Sequence, residues 1–313
     1  VGRFIARRIV AGISLLFVIT SAAYFLLYLS GGDVARNLLG PTATDAQVAA
    51  KATELGLDQP LLTRYWDWLS GALTGDFGNS WASRAPVTEL LSGRVAVTLT
   101  IVVAAVIVSG IGAVILGSLA SSRGGWVDRT IQVASLVGAA VPGFLIAMVL
   151  VLVVAINLGW FEPTGYINPS TSITGWLSTA VLPITALAVA GVAGVTQQVR
   201  GSMLDERRKD YVRTLECRGL SSRTITYQHV LRNASGPALN VLALMFVAML
   251  GGAVVVEQVF SIPGLGKLTV TSTLSSDVPV IMGIVVVTVV LVVILNLLID
   301  LLQAWLNPKV RLS

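Results

Sequence analysis

The sequence predicts an all-α polytopic membrane protein: six transmembrane helices, with a small helical external segment between the first and the second. Composition is the first observation behind this, since 55% of the 313 residues are hydrophobic and only 12% are charged. Mean hydropathy is +0.83, whereas a soluble domain carries charged residues at about a quarter of its positions. The second is a set of six apolar runs, each long enough to cover a hydrocarbon core about 30 Å thick. The third is the placing of Lys and Arg, which gather in alternate connections between those runs, as they do where charge sets membrane orientation.

The first run, Ile9–Ser30, follows Arg3, Arg7 and Arg8. At about 22 residues it is longer than the apolar core of a secretory signal, so it is expected to stay as a membrane anchor. From Gly31 to Arg94 no run is long enough to cross, yet the pattern is ordered. Thr44 and Gln47 have capping-box spacing, a helix can run to Gly56, and Pro60 can open another that ends near Gly71. That second helix carries Tyr65, Trp66 and Trp68, a cluster suited either to a partner or substrate or to an interfacial belt on lipid headgroups.

The remaining runs are Val95–Ala120, Ile131–Leu158, Leu177–Val199, Ala238–Val256 and Val278–Leu302. Ser121 to Arg129 is too short to hold a domain, so the second and third runs form a tight hairpin. Pro142-Gly143 and Pro183 interrupt the third and fourth runs and free backbone groups that neighbouring helices must satisfy. They are candidate kinks or gates, as are Pro263 and Gly264 beyond the fifth run; packing irregularity is the alternative. Gly110, Gly112 and Gly117, with Gly191 and Gly194, permit close helix approach. The expected organisation is residues 1–30 as tail and first helix, 31–94 as the external subdomain, 95–303 as a five-helix membrane domain and 304–313 as a tail. Fifteen Lys and Arg residues lie on the N-terminal side against six opposite. This places both termini, and the polar stretch Asp205–Pro237, in the cytoplasm.

Most chemistry is excluded by what the chain carries. A net charge of +5 and a pI of about 9.7 fit membrane orientation better than nucleic acid, because the basic residues sit in loops between apolar runs. Cys217, the single cysteine, excludes an intrachain disulfide, and with His229 it makes no credible metal set. His229 reads as a surface or partner-facing imidazole. GLGK at Gly264–Lys267 looks like a phosphate-binding loop, but Ser261 stands where its first Gly belongs and Leu268 where Ser or Thr belongs, so no nucleotide is expected there. No catalytic constellation is present. Ionisable residues deep in the runs would mark proton or ion relays; Glu257 and Asp300 lie near run ends, within reach of an interface or a neighbouring chain, and Gln197, Gln198 and Asn240 are uncharged. This argues against a proton-coupled carrier, while sodium coupling through backbone carbonyls leaves no comparable trace; a transporter with neither an ion relay nor a nucleotide site needs energy from another chain.

Asp205–Pro237 is the densest block of positive charge between two apolar runs. Asp210 to Arg218 contains no helix breaker, Gly219 is a candidate left-handed C-terminal cap, and Ser221 or Ser222 can start a second short helix. Helix, sharp turn, helix is the expected shape. Val212, Leu215 and Cys217 form its candidate apolar stripe for docking into a partner's groove, with Arg213 and Arg218 at the rim.

The order of residues here resembles the cytoplasmic coupling loop of dipeptide/oligopeptide-type ABC importer permeases. The resemblance is carried by Asp210, Tyr211, Val212, Arg213, Thr214 and Leu215, then Gly219, Leu220 and Ser221, then His229, Arg232, Asn233 and Ala234. Leu215 replaces a small residue, and Ser235-Gly236 stand where two leucines are usual. Further stretches are similar to the same family: Leu55–Ser80, Ser122–Arg129, Val141–Phe144, Gly251–Leu268 and Asn296–Arg311. The resemblance implies a type I ABC importer permease fold and a subunit that is not itself an enzyme. It implies a coupling loop of Asp210 to Ser221, Glu216 included, resting on an ATPase subunit. It further implies a homologous second permease as heterodimer partner, two ATPase subunits holding ATP and Mg, an external solute-binding protein, a peptide substrate and the bacterial plasma membrane. The external segment and the Glu257–Asp277 loop would then dock and gate. Import of nickel or another small solute is the alternative within the family; a stand-alone carrier or channel, or a non-conducting assembly subunit, are the alternatives outside it.

Overall fold

The computed structural model describes residues 2–30 and 34–306, with side chains over 6–28 and 34–306. Gly31 to Asp33, the side chain of Arg3, and Lys309 and Arg311 of the predicted tail lie outside the described residues.

All described regular structure is helical. α1 runs Gly2–Ser30, followed by α2 (Val34–Leu39), α3 (Asp45–Glu54), α4 (Leu61–Thr74) and α5 (Val87–Arg123). α6 (Gly125–Ala140) and α7 (Gly143–Val149) come next, α7 continuing as a π-helix over Leu150–Asn157; α8 is Ile173–Arg207 and α9 Asp210–Cys217. α10 (Ser222–Thr224) passes through π turns at Ile225–Val230 into α11 (Leu231–Val259), and α12 (Leu265–Leu274) and α13 (Val278–Leu306) close the described chain. Five helical stretches are long and apolar enough to cross a membrane: Ala6–Tyr28, Val87–Arg123, Ile173–Arg207, Ser222–Val259 and Val278–Leu306. α6 and α7 with its π extension make a sixth only if the bent pair counts as one span.

That pair corrects the expected continuous third helix. The chain bends by 95° between Ala140 and Gly143. Val141 is extended (φ −83°, ψ 121°), the conformation into which the following Pro142 pushes its neighbour, and Pro142 has no N–H to continue the helix. Pro183, by contrast, lies buried inside an unbroken α8.

The chain divides into two compact units. One holds Thr98–Ile262 and the stretch from Ile294 onward; the other holds Ile5–Val97 and Pro263–Val293. These units follow packing, whereas the boundaries at 31–94 and 95–303 follow hydropathy.

In the first unit α8 is central, packed along α11 and α6. A Cβ on Gly117 would lie 2.7 Å from Val199 Cγ1, so α5 meets α8 where only glycine fits. Gly191 is equally confined, by Ser109 and Met249. Arg200 forms a two-toothed contact with Asp128, its Nη2 2.6 Å from Asp128 Oδ2, so one of the charges counted for orientation is paired within the chain.

In the second unit, Thr44 and Gln47 form the expected capping box, with Thr44 N donating to Gln47 Oε1 at 2.9 Å. α4 runs past Gly71 to Thr74 and ends at Gly75, which takes a left-handed φ of 85°, the conformation that favours glycine. The aromatic cluster of α4 is turned mostly inward. Tyr65 is buried with Tyr24, Val278 and Met282, and Trp68 packs against this core; Tyr65 OH lies 2.6 Å from Ser21 Oγ. Trp66 alone of the three is fully turned outward, 61% exposed. The buried Asp277 carboxylate accepts hydrogen bonds from Ser80 Oγ (2.5 Å), Trp81 N (3.1 Å) and Ala82 N (3.4 Å). One side chain before α13 thus pins the connection between α4 and α5.

Candidate functional site

The stretch Asp205–Pro237 is less of a loop than its polarity suggested. α8 continues to Arg207, and α10 is no separate short helix but the first turn of the helix running from Ser222 to Val259. Only 208–221 stands between the two long helices, with α9 as its single helical piece. Gly219 has φ 75°, a left-handed conformation that costs other L-residues about 1–2 kcal/mol. Its N–H is 2.9 Å from Glu216 O, and Leu220 N is 3.3 Å from Leu215 O. Ser221 then caps the next helix, its Oγ accepting from Thr224 N at 3.2 Å.

α9 is seated by one apolar side and two polar braces. Val212 is buried in a cluster with Met203, Ile225 and Val230, and Tyr211, Leu215 and Leu220 pack partly against it. Val212 therefore does not face outward as expected, whereas Leu215 is half-buried: burial of an apolar group of this size stabilises by about 1.5–3 kcal/mol, and the chain uses the Val212 contact for itself. Of that stripe only Cys217 is exposed. Asp210, Arg213, Thr214, Glu216, Cys217, Arg218 and Ser221 make up the exposed face, which is therefore polar and charged.

The braces are Glu206 and Arg207, which the sequence pattern did not single out. Glu206, 7% exposed, accepts hydrogen bonds from Lys209 Nζ at 2.5 Å and Tyr211 OH at 2.9 Å. Asn233 Nδ2 donates to the same Tyr211 oxygen at 3.2 Å. The hydrogen bond to Glu206 raises the Lys209 ammonium above the usual lysine range, and burial raises the Tyr211 phenol. Arg207 Nη2 donates to Ser122 Oγ at 2.9 Å and Thr226 Oγ1 at 2.7 Å, tying the ends of α5 and α8 to the start of the helix after α9. Glu206 and Arg207 sat inside a charge run, and it is the burial of Glu206 and the partners of the half-buried Arg207 that separate them from the exposed Arg208.

The candidate gate residues are dispersed. Gly143 lines an apolar cavity of about 240 Å³ between α7, α8 and α11, together with Met245, Met249 and Gly252; Pro142 marks the helix break and Pro183 lies within α8. Pro263 and Gly264 immediately precede α12, whose Leu265 and Leu268 are buried with Val87, Leu91 and Val280. Glu257 does not reach an interface as expected: it is 1% exposed and accepts from Thr98 Oγ1 at 2.5 Å. His229 is half-buried on a groove described below. No group of three or more His, Cys, Asp or Glu able to hold a metal occurs among the described residues.

Helices of spanning length, a bent helix pair and a short helix folded back between two spans define an integral membrane protein. The chain belongs to the family of binding-protein-dependent transport system inner membrane components, whose model matches residues 113–312, with the family's N-terminal model matching residues 1–102. It is 36% identical over 311 residues to a probable peptide ABC transporter permease protein, y4tP, of Sinorhizobium fredii, covering 99% of each chain. It is 35% identical over 312 residues to the oligopeptide transport system permease protein AppB of Bacillus subtilis, covering 98% of each. Among solved structures, inward-facing MetNI methionine ABC transporter gives a TM-score of 0.57 at 15% identity, over 70% of this chain and 97% of that one. That likeness bears on the fold alone.

Proposed function

We propose that this chain is the membrane-spanning permease subunit of an ATP-driven ABC importer, and that it takes up dipeptides and oligopeptides by alternating access. The observation that carries the coupling role is the seating of α9. Its inner side is held by Val212 and Glu206 on the chain's own spans, while Arg213, Glu216, Cys217 and Arg218 are left facing outward. A short helix fixed in this way moves with the spans as a rigid body, so force on its polar face is passed to them. The peptide class rests on the names of relatives that align over almost the whole chain.

In this reading ATP and Mg are bound by two ATPase subunits, and α9 sits on one of them in the cytoplasm together with both chain termini. A homologous second permease completes the pathway, and an extracytoplasmic binding protein delivers peptide to the external side, where α2–α4 lie. The chain itself contributes no catalytic group. Gly219→Val tests the coupling role: space around Gly219 is open, so the strain falls on the left-handed turn, and Gly219→Asn serves as the milder control. In an assembled, membrane-reconstituted complex, Gly219→Val is expected to uncouple peptide-stimulated ATPase activity from uptake, with Gly219→Asn in between. Normal uptake and ATPase activity in an assembled Gly219→Val complex would remove the coupling role.

A further inference from the structure

A groove of about 1120 Å³ opens in the first unit beside the start of α11 and the end of α13. Its apolar wall is Val114, Leu231, Trp305 and Leu306, drawn from three helices of spanning length; its polar rim is His229, Arg232 and neighbouring amide and hydroxyl side chains. Among the described residues no carboxylate lines it. Arg232 Nε donates to Leu306 O at 3.3 Å, which fixes the guanidinium at the rim; its terminal amino groups have no partner among the described residues. An adjoining shallow pocket shares Tyr227 and Gln228 with the groove and adds Arg223. Arg232 thus lies on the groove and Arg223 on the pocket that adjoins it. Trp305 (68% exposed) and Tyr227 (52% exposed) stand beside it, each with an apolar ring and a polar tip, the residue types favoured at a membrane–water boundary.

We propose that this groove holds an anionic phospholipid of the surrounding bilayer, its phosphate between Arg223 and Arg232 and its acyl chains against Val114, Leu231 and Leu306. The pairing of a cationic rim, free of carboxylates among the described residues, with an apolar wall selects this occupant. An inorganic phosphate fills the rim and leaves the wall bare; a neutral zwitterionic lipid covers the wall and gains little at the rim. Cationic pockets between membrane helices recognise headgroups through the same charge pairing. The inference needs only that the chain lies in a membrane, and it stands or falls separately from the peptide reading.

The test uses the full chain purified in detergent and offered phosphatidylglycerol, phosphatidylcholine or inorganic phosphate, with retained lipid counted by native mass spectrometry. Phosphatidylglycerol is expected to be retained in preference to phosphatidylcholine and to resist competition by phosphate. Loss of one arginine, in Arg223→Gln or Arg232→Gln, is expected to weaken its retention about fivefold, and loss of both further. In the wild-type background, p-benzoylphenylalanine placed at Trp305 and photolysed in cells is expected to give a phospholipid adduct, which keeps the test open should the double variant not fold. Equal retention of the two lipids, retention undiminished in a folded double variant, displacement by phosphate, or a Trp305 adduct only to another protein chain would each overturn the proposal.

Discussion

At Glu206 a single buried carboxylate takes hydrogen bonds from two side chains of the turn, and replacing it by alanine leaves Lys209 Nζ and Tyr211 OH without their acceptor. Removal of one partner from a buried polar pair costs about 1–3 kcal/mol, so Glu206→Ala is expected to expose α9 amides to hydrogen exchange while the amides of α8 stay protected. Val212→Ala should weaken the same seat by about 2 kcal/mol, with the loss seen in the same exchange experiment. The pH dependence follows from Lys209 and Tyr211, both raised above their ordinary values of 10.5 and 10.0. A raised folded-state value contributes stability that is fully present below the unfolded value and is lost as pH rises through the folded one. The seat of α9 should therefore be unchanged across neutral pH and loosen only in alkali above about pH 10; loosening near neutrality would remove the Lys209–Glu206 and Tyr211 contacts from the explanation. Residue type alone indicated little of this. Gly219 was legible because a left-handed cap needs glycine, but Glu206 and Arg207 were two charges in a basic run, distinguished only by what folds over them.

For the elements, hydropathy located the five helices of spanning length and the apolar run that the structure bends into α6 and α7, because a helix in lipid must satisfy its own backbone and so must be long and apolar. It did not locate their ends. α5, at 37 residues, extends about 55 Å and far outruns the apolar run inside it, since a helix can continue on polar residues once outside the hydrocarbon. The π turns at Ile225–Val230 and Leu150–Asn157 likewise leave no period in the sequence. Pro142 was a visible breaker, but whether it kinked a helix or ended it was decided by Val141 turning extended. The small residues were readable as close-approach points, and Gly117 against Val199 is the sharpest. Gly117→Ala places a methyl group 2.7 Å from Val199 Cγ1, an overpacking expected to cost about 1–3 kcal/mol. A drop in thermal midpoint checks it, and because Val199 Cβ (2.8 Å) and Arg200 N (3.2 Å) also face that methyl, trimming Val199 to alanine is not expected to restore the midpoint. An unchanged midpoint in Gly117→Ala would show that the two helices part there at no cost.

Over the whole molecule, the legible part was class and family, carried by motifs spread in order along the chain, and the hidden part was which distant polar groups hold each other. Asp277 shows why: Ser80 lies 197 positions away, and nothing periodic links them. Asp277→Ala should release the connection around Ser80–Ala82 and make it a site of early proteolysis, whereas an unchanged digestion pattern would show that the loop is held by something else. The aromatic residues of α4 were readable as a cluster but not as an internal one, since burial of Tyr65 against Tyr24 depends on how α4 folds back on α1. The proposal that binds these scales together is that outside force enters at the polar face of α9 and leaves through the spans it is seated on. Cys217 gives direct access to it, being exposed and the single cysteine of the chain. A bifunctional reagent attached there in the assembled, membrane-embedded transporter should join this chain to an ATPase subunit, with a yield that changes between the ATP-bound and nucleotide-free states. A Cys217 adduct found only on an extracytoplasmic partner, or one whose yield ignores nucleotide, would contradict it.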